Sequence, residues 1–195
     1  MSPELERKLF EKYPKIFAQR KLPMTQTAMC WGIETGDGWY TILDKLCHQI
    51  QHHVDWKRKQ RARNLRHQRA IRRALKGDKL ALLRFHAFNG NVTEHTYKYV
   101  DDDIVQAEQG KLPMIQPRMA KIQAVQVKEK FGTLRFYTNY SDDYIDGLIA
   151  MAESMTAVTC QECGKPGKVR GGGWIYVACD EHTSVNDLDD EEDAE

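Results

Sequence analysis

The chain has 195 residues, of which 41% are hydrophobic and 29% charged, and its 29 basic and 28 acidic residues leave a net charge of +1. That length suffices for one ordinary domain with a real core, and that composition excludes wholesale disorder. No run approaches about 18 apolar residues and no charged-then-apolar leader opens the sequence, so neither a membrane span nor a secretion signal is expected.

In chain order, Leu5, Leu9, Phe10 and Tyr13 recur at helical spacing, and Pro14 breaks that run, so the pattern predicts a short helix over 5–18. Residues 19–38 read as irregular, with Pro23 and then Gly36-Asp37-Gly38, where Asp37 is a candidate helix cap. No Gly or Pro lies between Gly38 and Gly77. Trp39, Ile42, Leu43, Leu46, Cys47, Ile50 and Val54 make one apolar face, and Gln60, Asn64, His67, Gln68, Ile71 and Leu75 continue it. The phase hardly drifts, which predicts one helix of about 37 residues and roughly 55 Å. A helical hairpin broken near Trp56 is the alternative.

Apolar residues predict a further helix over 79–88, and another over 93–109 ends at Gly110. Pro113 and Pro117 mark 111–118 as a loop. The period then falls to two. Val125 and Val127 precede Phe131-Gly132-Thr133, and Leu134 and Phe136 follow, which is a β-hairpin. Ser141 is placed to cap a last helix with Asp142 and Asp143 in its first turn and a buried stripe of Tyr144, Ile145, Leu148, Ile149, Ala152 and Met155. The predicted class is α+β: a mostly helical body over 1–157, a zinc-ribbon-like lobe over 158–184, and a disordered acidic tail over 185–195. Asp187 to Glu195 hold seven acids and no base.

The five cysteines are Cys30, Cys47, Cys160, Cys163 and Cys179. An odd number without a secretion signal argues against a disulfide framework. Cys160-Gln-Glu-Cys163 and Cys179-Asp-Glu-His182 form C-x2-C-x15-C-x2-H. A two-residue gap lets two ligands from one tight turn reach a single ion, and two such turns complete a tetrahedron. Cys160, Cys163, Cys179 and His182 are therefore the expected ligands of one structural Zn2+, with Lys168-Val169-Arg170 and Trp174-Ile175-Tyr176-Val177 as paired strands between them. With all four positions filled by protein, hydrolytic work by this metal is not expected. Cys30 and Cys47 read as small core residues.

Charge is segregated despite the small total. Residues 57–79 hold eleven Lys and Arg against the single Asp78. Arg58, Lys59, Arg61, Arg63, Arg66, Arg69, Arg72, Arg73 and Lys76 cover one broad side of the predicted helix. Like charges three and four residues apart repel, so such a helix gains from a polyanion. The excess of Arg over Lys favours forked contacts to phosphate or to a carboxylate-rich protein surface. The expected partner is thus nucleic acid, a nucleoprotein, or a protein with an acidic surface. A solvated charged helix with no ligand is the plainer alternative.

Other clusters carry less. Asp44, His48 and His52 stand in a row on a helix, but that row faces away from the apolar stripe and reads as a solvated face. His53 borders the apolar side and is expected to pack. Asp101, Asp102 and Asp103 diverge by 100° each on a helix and cannot converge together on one ion. Gly36-Asp37-Gly38 and Gly171 to Gly173 lack the rest of any phosphate-loop pattern and read as turns. No Ser-His-Asp or Cys-His spacing argues for a nucleophile, so no enzymatic activity is expected.

Three blocks carry a resemblance: Gly36-Asp37-Gly38-Trp39-Tyr40 with Leu43 to Cys47, Gln126 to Tyr137, and the Cys160–His182 knuckles with Gly172-Gly173-Trp174-Ile175. In that order they resemble a group of uncharacterised accessory proteins of tailed phages and prophages. The resemblance implies expression in a bacterial host cytoplasm and a non-structural role. Binding and disabling of host machinery, including a defence (anti-CRISPR-like) or transcription factor, is the alternative function it suggests.

Overall fold

The computed structural model describes residues 1–87, 90–171 and 174–184. The acidic tail, Phe88 and the Gly172-Gly173 pair, all read from the sequence above, lie outside the described residues. The elements are α1 (Pro3–Lys12), β1 (Ile33–Glu34), α2 (Tyr40–Ala74), α3 (Lys79–His86), α4 (Glu94–Glu108), β2 (Ala124–Lys130), β3 (Thr133–Thr138), α5 (Asp143–Thr156), β4 (Lys168–Arg170) and β5 (Tyr176–Ala178). The class is α+β, as expected.

The chain divides into two compact units, Met1–His53 with Ala120–Glu195, and Val54–Met119. The 157/158 boundary expected from the sequence lies inside the first unit. α2 is one helix of 35 residues without a break at Trp56, so its start belongs to the first unit and its remainder to the second.

In the first unit β1, β2 and β3 form one sheet in that order, with β1 parallel to β2 and β2 antiparallel to β3. The hairpin turns through Phe131 and Gly132, whose φ values of 54° and 76° are the paired left-handed conformations of a tight hairpin turn. Glu129 Oε1 accepts from the Gly132 N–H at 2.6 Å and closes that turn. Val127, Leu134 and Phe136 point inward, and Trp39, Leu43, Cys47 and Ile50 of the α2 side and Ile145 of α5 are also buried. The period of two on the hairpin and of 3.6 on the helices supply the apolar surfaces of this core. Asp142, not Ser141, caps α5: its side chain accepts from the Ile145 N–H at 3.1 Å. Both residues are competent caps, and the helix starts one residue later than the sequence pattern suggests.

In the second unit Ala70, Ile71 and Ala74 of α2 pack with Leu82 of α3 and Val100 of α4. The polar residues that continue the α2 stripe are explained by the loop after α4. Asn64 Nδ2 donates to the Met114 carbonyl at 2.8 Å and Gln68 Nε2 to the Pro113 carbonyl at 2.8 Å. A proline-rich segment has few N–H groups of its own to offer, and its carbonyls are satisfied here by amide side chains.

Candidate metal centre and basic groove

The first knuckle is a tight turn. The Gly164 N–H donates to the Cys160 carbonyl at 2.9 Å, and the Cys160 N–H donates to the Lys165 carbonyl at 2.8 Å. Gly164 takes φ +74°, a conformation that favours glycine. The second knuckle is a 3-10 turn over Asp180–His182, in which the His182 N–H donates to the Cys179 carbonyl at 3.0 Å. β4 and β5 pair antiparallel between the knuckles, with Val169 opposite Val177.

These turns bring Cys160, Cys163, Cys179 and His182 together, with one ligand atom of each within 4.8 Å of all the others. Cys160 Sγ lies 3.7 Å from His182 Nδ1, Cys163 Sγ 3.6 Å from Cys179 Sγ, and Cys179 Sγ 3.2 Å from His182 Nδ1. Bonds of about 2.3 Å to sulfur and about 2.0 Å to nitrogen around a tetrahedron place neighbouring donors roughly 3.5–3.8 Å apart. The four side chains are thus positioned to hold one metal ion. Burial pushes the Cys160 thiol up, but N–H groups of Cys179, Cys163 and Glu162 more than offset it and bring the group down to about 6. Those N–H groups stabilise the thiolate, which is the form that binds a metal.

The knuckles do not stand alone. The Gly38 N–H donates to the Gln161 carbonyl at 2.8 Å, and Trp39, fully buried, donates from Nε1 to the Thr159 carbonyl at 2.8 Å. A Cβ at Gly38 would meet Cys160 O at 2.3 Å, Gly164 N at 2.4 Å and Cys163 N at 2.8 Å. One at Gly36 would meet Gln161 O at 2.2 Å. The Gly36-Asp37-Gly38-Trp39 turn is therefore the seat of the first knuckle, and its glycines permit the close backbone approach. The spacing alone did not disclose this role. Asp37, expected as a helix cap, instead accepts from the Ser2 N–H at 2.5 Å. On the outer side Lys165 and Glu181 tie the two knuckles by an ion pair of 2.6 Å.

The expected basic residues are used in different ways. Arg63, Arg66, Arg69 and Arg73 line a groove of about 530 Å³ together with Ala70, Ala81, Arg84 and Phe85. Arg84, on α3, was missed because a lone Arg among leucines gives no pattern. Arg58 sits 4.0 Å from Asp55, Arg72 donates to Gln68 Oε1 at 3.2 Å, and Arg61 donates to the Gln116 carbonyl. Lys76 is exposed beyond α2. Arg73 is held by Asp78 through hydrogen bonds of 2.9 and 2.5 Å.

Of the clusters set aside, His48 and His52 are exposed as expected. Asp44 is not solvated: it accepts from Lys12 Nζ at 2.7 Å and from the Tyr13 hydroxyl at 2.9 Å. α1 covers that side of α2, which a single-helix pattern cannot reveal. His53 is buried, bonded to Asp142 Oδ2 at 2.9 Å and stacked on Tyr144 at 4.3 Å. Cys47 is fully buried, and burial pushes its thiol well above the ordinary range. Cys30 is half-buried, with Sγ 3.2 Å from the Thr27 carbonyl.

Apolar surface is exposed on α5, where Tyr144 and Met155 of the stripe expected to be buried are 51% and 45% exposed, and at the hairpin turn. Phe131 at the hairpin turn is 68% exposed, Trp174 77% and Ile175 40%, and with Glu129 and Lys130 they line a hollow of about 360 Å³. No helix among the described residues is long and apolar enough to cross a membrane. No protein-family model, no curated protein and no solved structure matches the chain.

Proposed function

We propose that the chain is a binding protein, not an enzyme, and that it engages nucleic acid, alone or in a nucleoprotein complex, through the groove lined by Arg63, Arg66, Arg69, Arg73 and Arg84. The observation that carries this reading is the charge of the groove. Five guanidinium groups from two helices line one cavity, and Arg63, Arg66, Arg69 and Arg84 have no acidic partner among the described residues. Unpaired like charges so close repel, and a polyanion relieves that repulsion. Forked guanidinium donors match phosphate oxygens, so such contacts position a nucleic acid without reading its bases.

The metal of the Cys3His centre is zinc on this reading, because three thiolates and one imidazole in a tetrahedron are the donors zinc prefers. It is structural: all four positions belong to the protein, and it fixes the knuckle that rests on Gly38 and Trp39. The setting proposed is the cytoplasm of a bacterial host, on the resemblance to phage and prophage proteins. A second reading, a stoichiometric inhibitor of a host defence or transcription factor, is favoured by the exposed Phe131, Trp174 and Ile175 patch, since contiguous exposed aromatic surface marks protein contacts.

Capture from bacterial lysate with and without nuclease separates the two. Nucleic-acid binding predicts co-purified polynucleotide and loss of associated proteins on nuclease treatment. A protein partner that survives nuclease but is lost with Trp174→Ser supports the second reading and removes the first.

A further inference from the structure

A second side-chain cluster lies in the unit Val54–Met119, apart from the cysteines. His67 of α2, His86 of α3 and Asp103 of α4 place one imidazole or carboxylate ligand atom each within 4.8 Å of the others. Both histidines use Nε2, and both meet the same oxygen, Asp103 Oδ2, His86 at 2.6 Å. The three side chains are 15–18% exposed, so the cluster is shielded yet reachable from solvent. We propose that His67, His86 and Asp103 form a second metal site that takes a divalent transition ion of the zinc, cobalt or iron(II) kind.

Three features carry the assignment. The donors come from three different helices, so no local sequence pattern or helix turn accounts for their meeting. The rings are held in place by their neighbours: His67 stacks on Phe85 at 4.3 Å with planes 8° apart, and His86 stands edge-on to His67 at 5.1 Å and 87°. Fixed imidazole orientation is what a metal ligand needs. Finally, two imidazoles and one carboxylate suit borderline transition ions better than magnesium or calcium, which favour all-oxygen sites. An ion replaces the protons between the nitrogens and the carboxylate. Bonds of about 2.0–2.2 Å put neighbouring donors roughly 3.0–3.5 Å apart, so the carboxylate and the two rings have to open by about half to one ångström, within reach of side-chain rotation. Three protein ligands leave further positions to water or another oxygen donor. Phe85, which stacks on His67, also lines the arginine groove, so the site adjoins that surface.

Neither α2 nor α4 announces this in sequence. Asp103 was set aside with Asp101 and Asp102 because the three cannot converge with one another. They do not, and Asp103 alone meets two histidines brought in by other helices.

The test is a cobalt(II) titration of the full chain as purified, with total metal per chain measured alongside. The site predicts that metal already bound plus cobalt taken up reaches two per chain. The ion held by His67, His86 and Asp103 gives cobalt d–d absorption without a thiolate-to-cobalt charge-transfer band. Asp103→Asn and His86→Gln each weaken that equivalent by about 100-fold or more, while the thiolate-held equivalent stays. Cys163→Ser does the converse, so failure of the Cys3His centre and failure of this site read out separately. Saturation of the parent at one metal per chain overturns the proposal. So does a second equivalent that neither Asp103→Asn nor His86→Gln weakens.

Discussion

Replacing Gly38 by Ala probes the seat of the metal knuckle directly. The new Cβ would lie 2.3 Å from Cys160 O, 2.4 Å from Gly164 N and 2.8 Å from Cys163 N. All three are backbone atoms between or beside metal ligands, so no side-chain rotation relieves the clash. The turn has to move off the knuckle, and two hydrogen bonds go with it: Gly38 N–H to Gln161 O and Trp39 Nε1–H to Thr159 O, each 2.8 Å. Each bond contributes about 0.5–1.5 kcal/mol, and a buried donor left without a partner costs about 1–3 kcal/mol. The expected loss is therefore about 2–4 kcal/mol, or a Tm lower by roughly 5–15 °C for a chain of this size. Thermal unfolding of the metal-loaded protein measures it. Gly147 is the control: it lies within α5 with nothing within 4 Å of its Cβ position, and Gly147→Ala should stabilise by about 0.5–1 kcal/mol on helix propensity alone. A Gly38→Ala protein within about 0.5 kcal/mol of the parent, the range of an ordinary surface substitution, would refute the docking of this turn on the knuckle.

Cys163→Ser should weaken metal binding and loosen the Trp39 seat while α2 to α4 keep their far-ultraviolet helical signal. Trp39 is fully buried whereas Trp31, Trp56 and Trp174 are 58%, 48% and 77% exposed, so a red shift of emission reports that loosening, and unchanged emission counts against it. Asp44 supplies a pH dependence: burial pushes its carboxyl up, but hydrogen bonds from Lys12 and Tyr13 outweigh that and hold it below the ordinary range. A depressed folded value stabilises above the unfolded value of about 3.9, and the gain is lost as pH falls through the folded value. Urea midpoints between pH 6 and pH 3 should therefore drop less in Asp44→Asn than in the parent, and parallel curves would contradict the pairing. Phe131→Ser with Trp174→Ser should leave stability within about 0.5 kcal/mol, because both side chains are mostly exposed; a larger loss would mean they pack where the structure exposes them.

The helices were legible because their periodicity is a local property. The stripe from Trp39 to Leu75 keeps its phase, and the α2 helix follows it to Ala74. The four ligands were legible because two-residue gaps are a signature of knuckles. What escaped is what depends on contacts between distant segments. β1 is only two residues long and exists by pairing with β2, Ile33 opposite Val127. The Gly36 and Gly38 pair looked like a plain turn because the backbone that requires it lies more than a hundred residues away. Arg61 looked equivalent to Arg63, yet one serves the proline loop and the other lines the groove. Asp44 looked solvated until α1 was laid against it.

The most direct test of the proposed function is the salt dependence of binding to a duplex oligonucleotide of about 20 base pairs, long enough to cover a groove-sized site. If Arg63, Arg66, Arg69 and Arg84, the groove arginines without an acidic partner among the described residues, each neutralise a phosphate, log affinity should fall against log salt with a slope of roughly −3.6. Arg63→Gln, Arg66→Gln and Arg69→Gln together should flatten that slope by about 3 units without lowering Tm, since none of the three pairs with an acid among the described residues. Affinity that ignores salt, or a triple variant that binds as the parent does, would contradict the arginine groove as a nucleic-acid site.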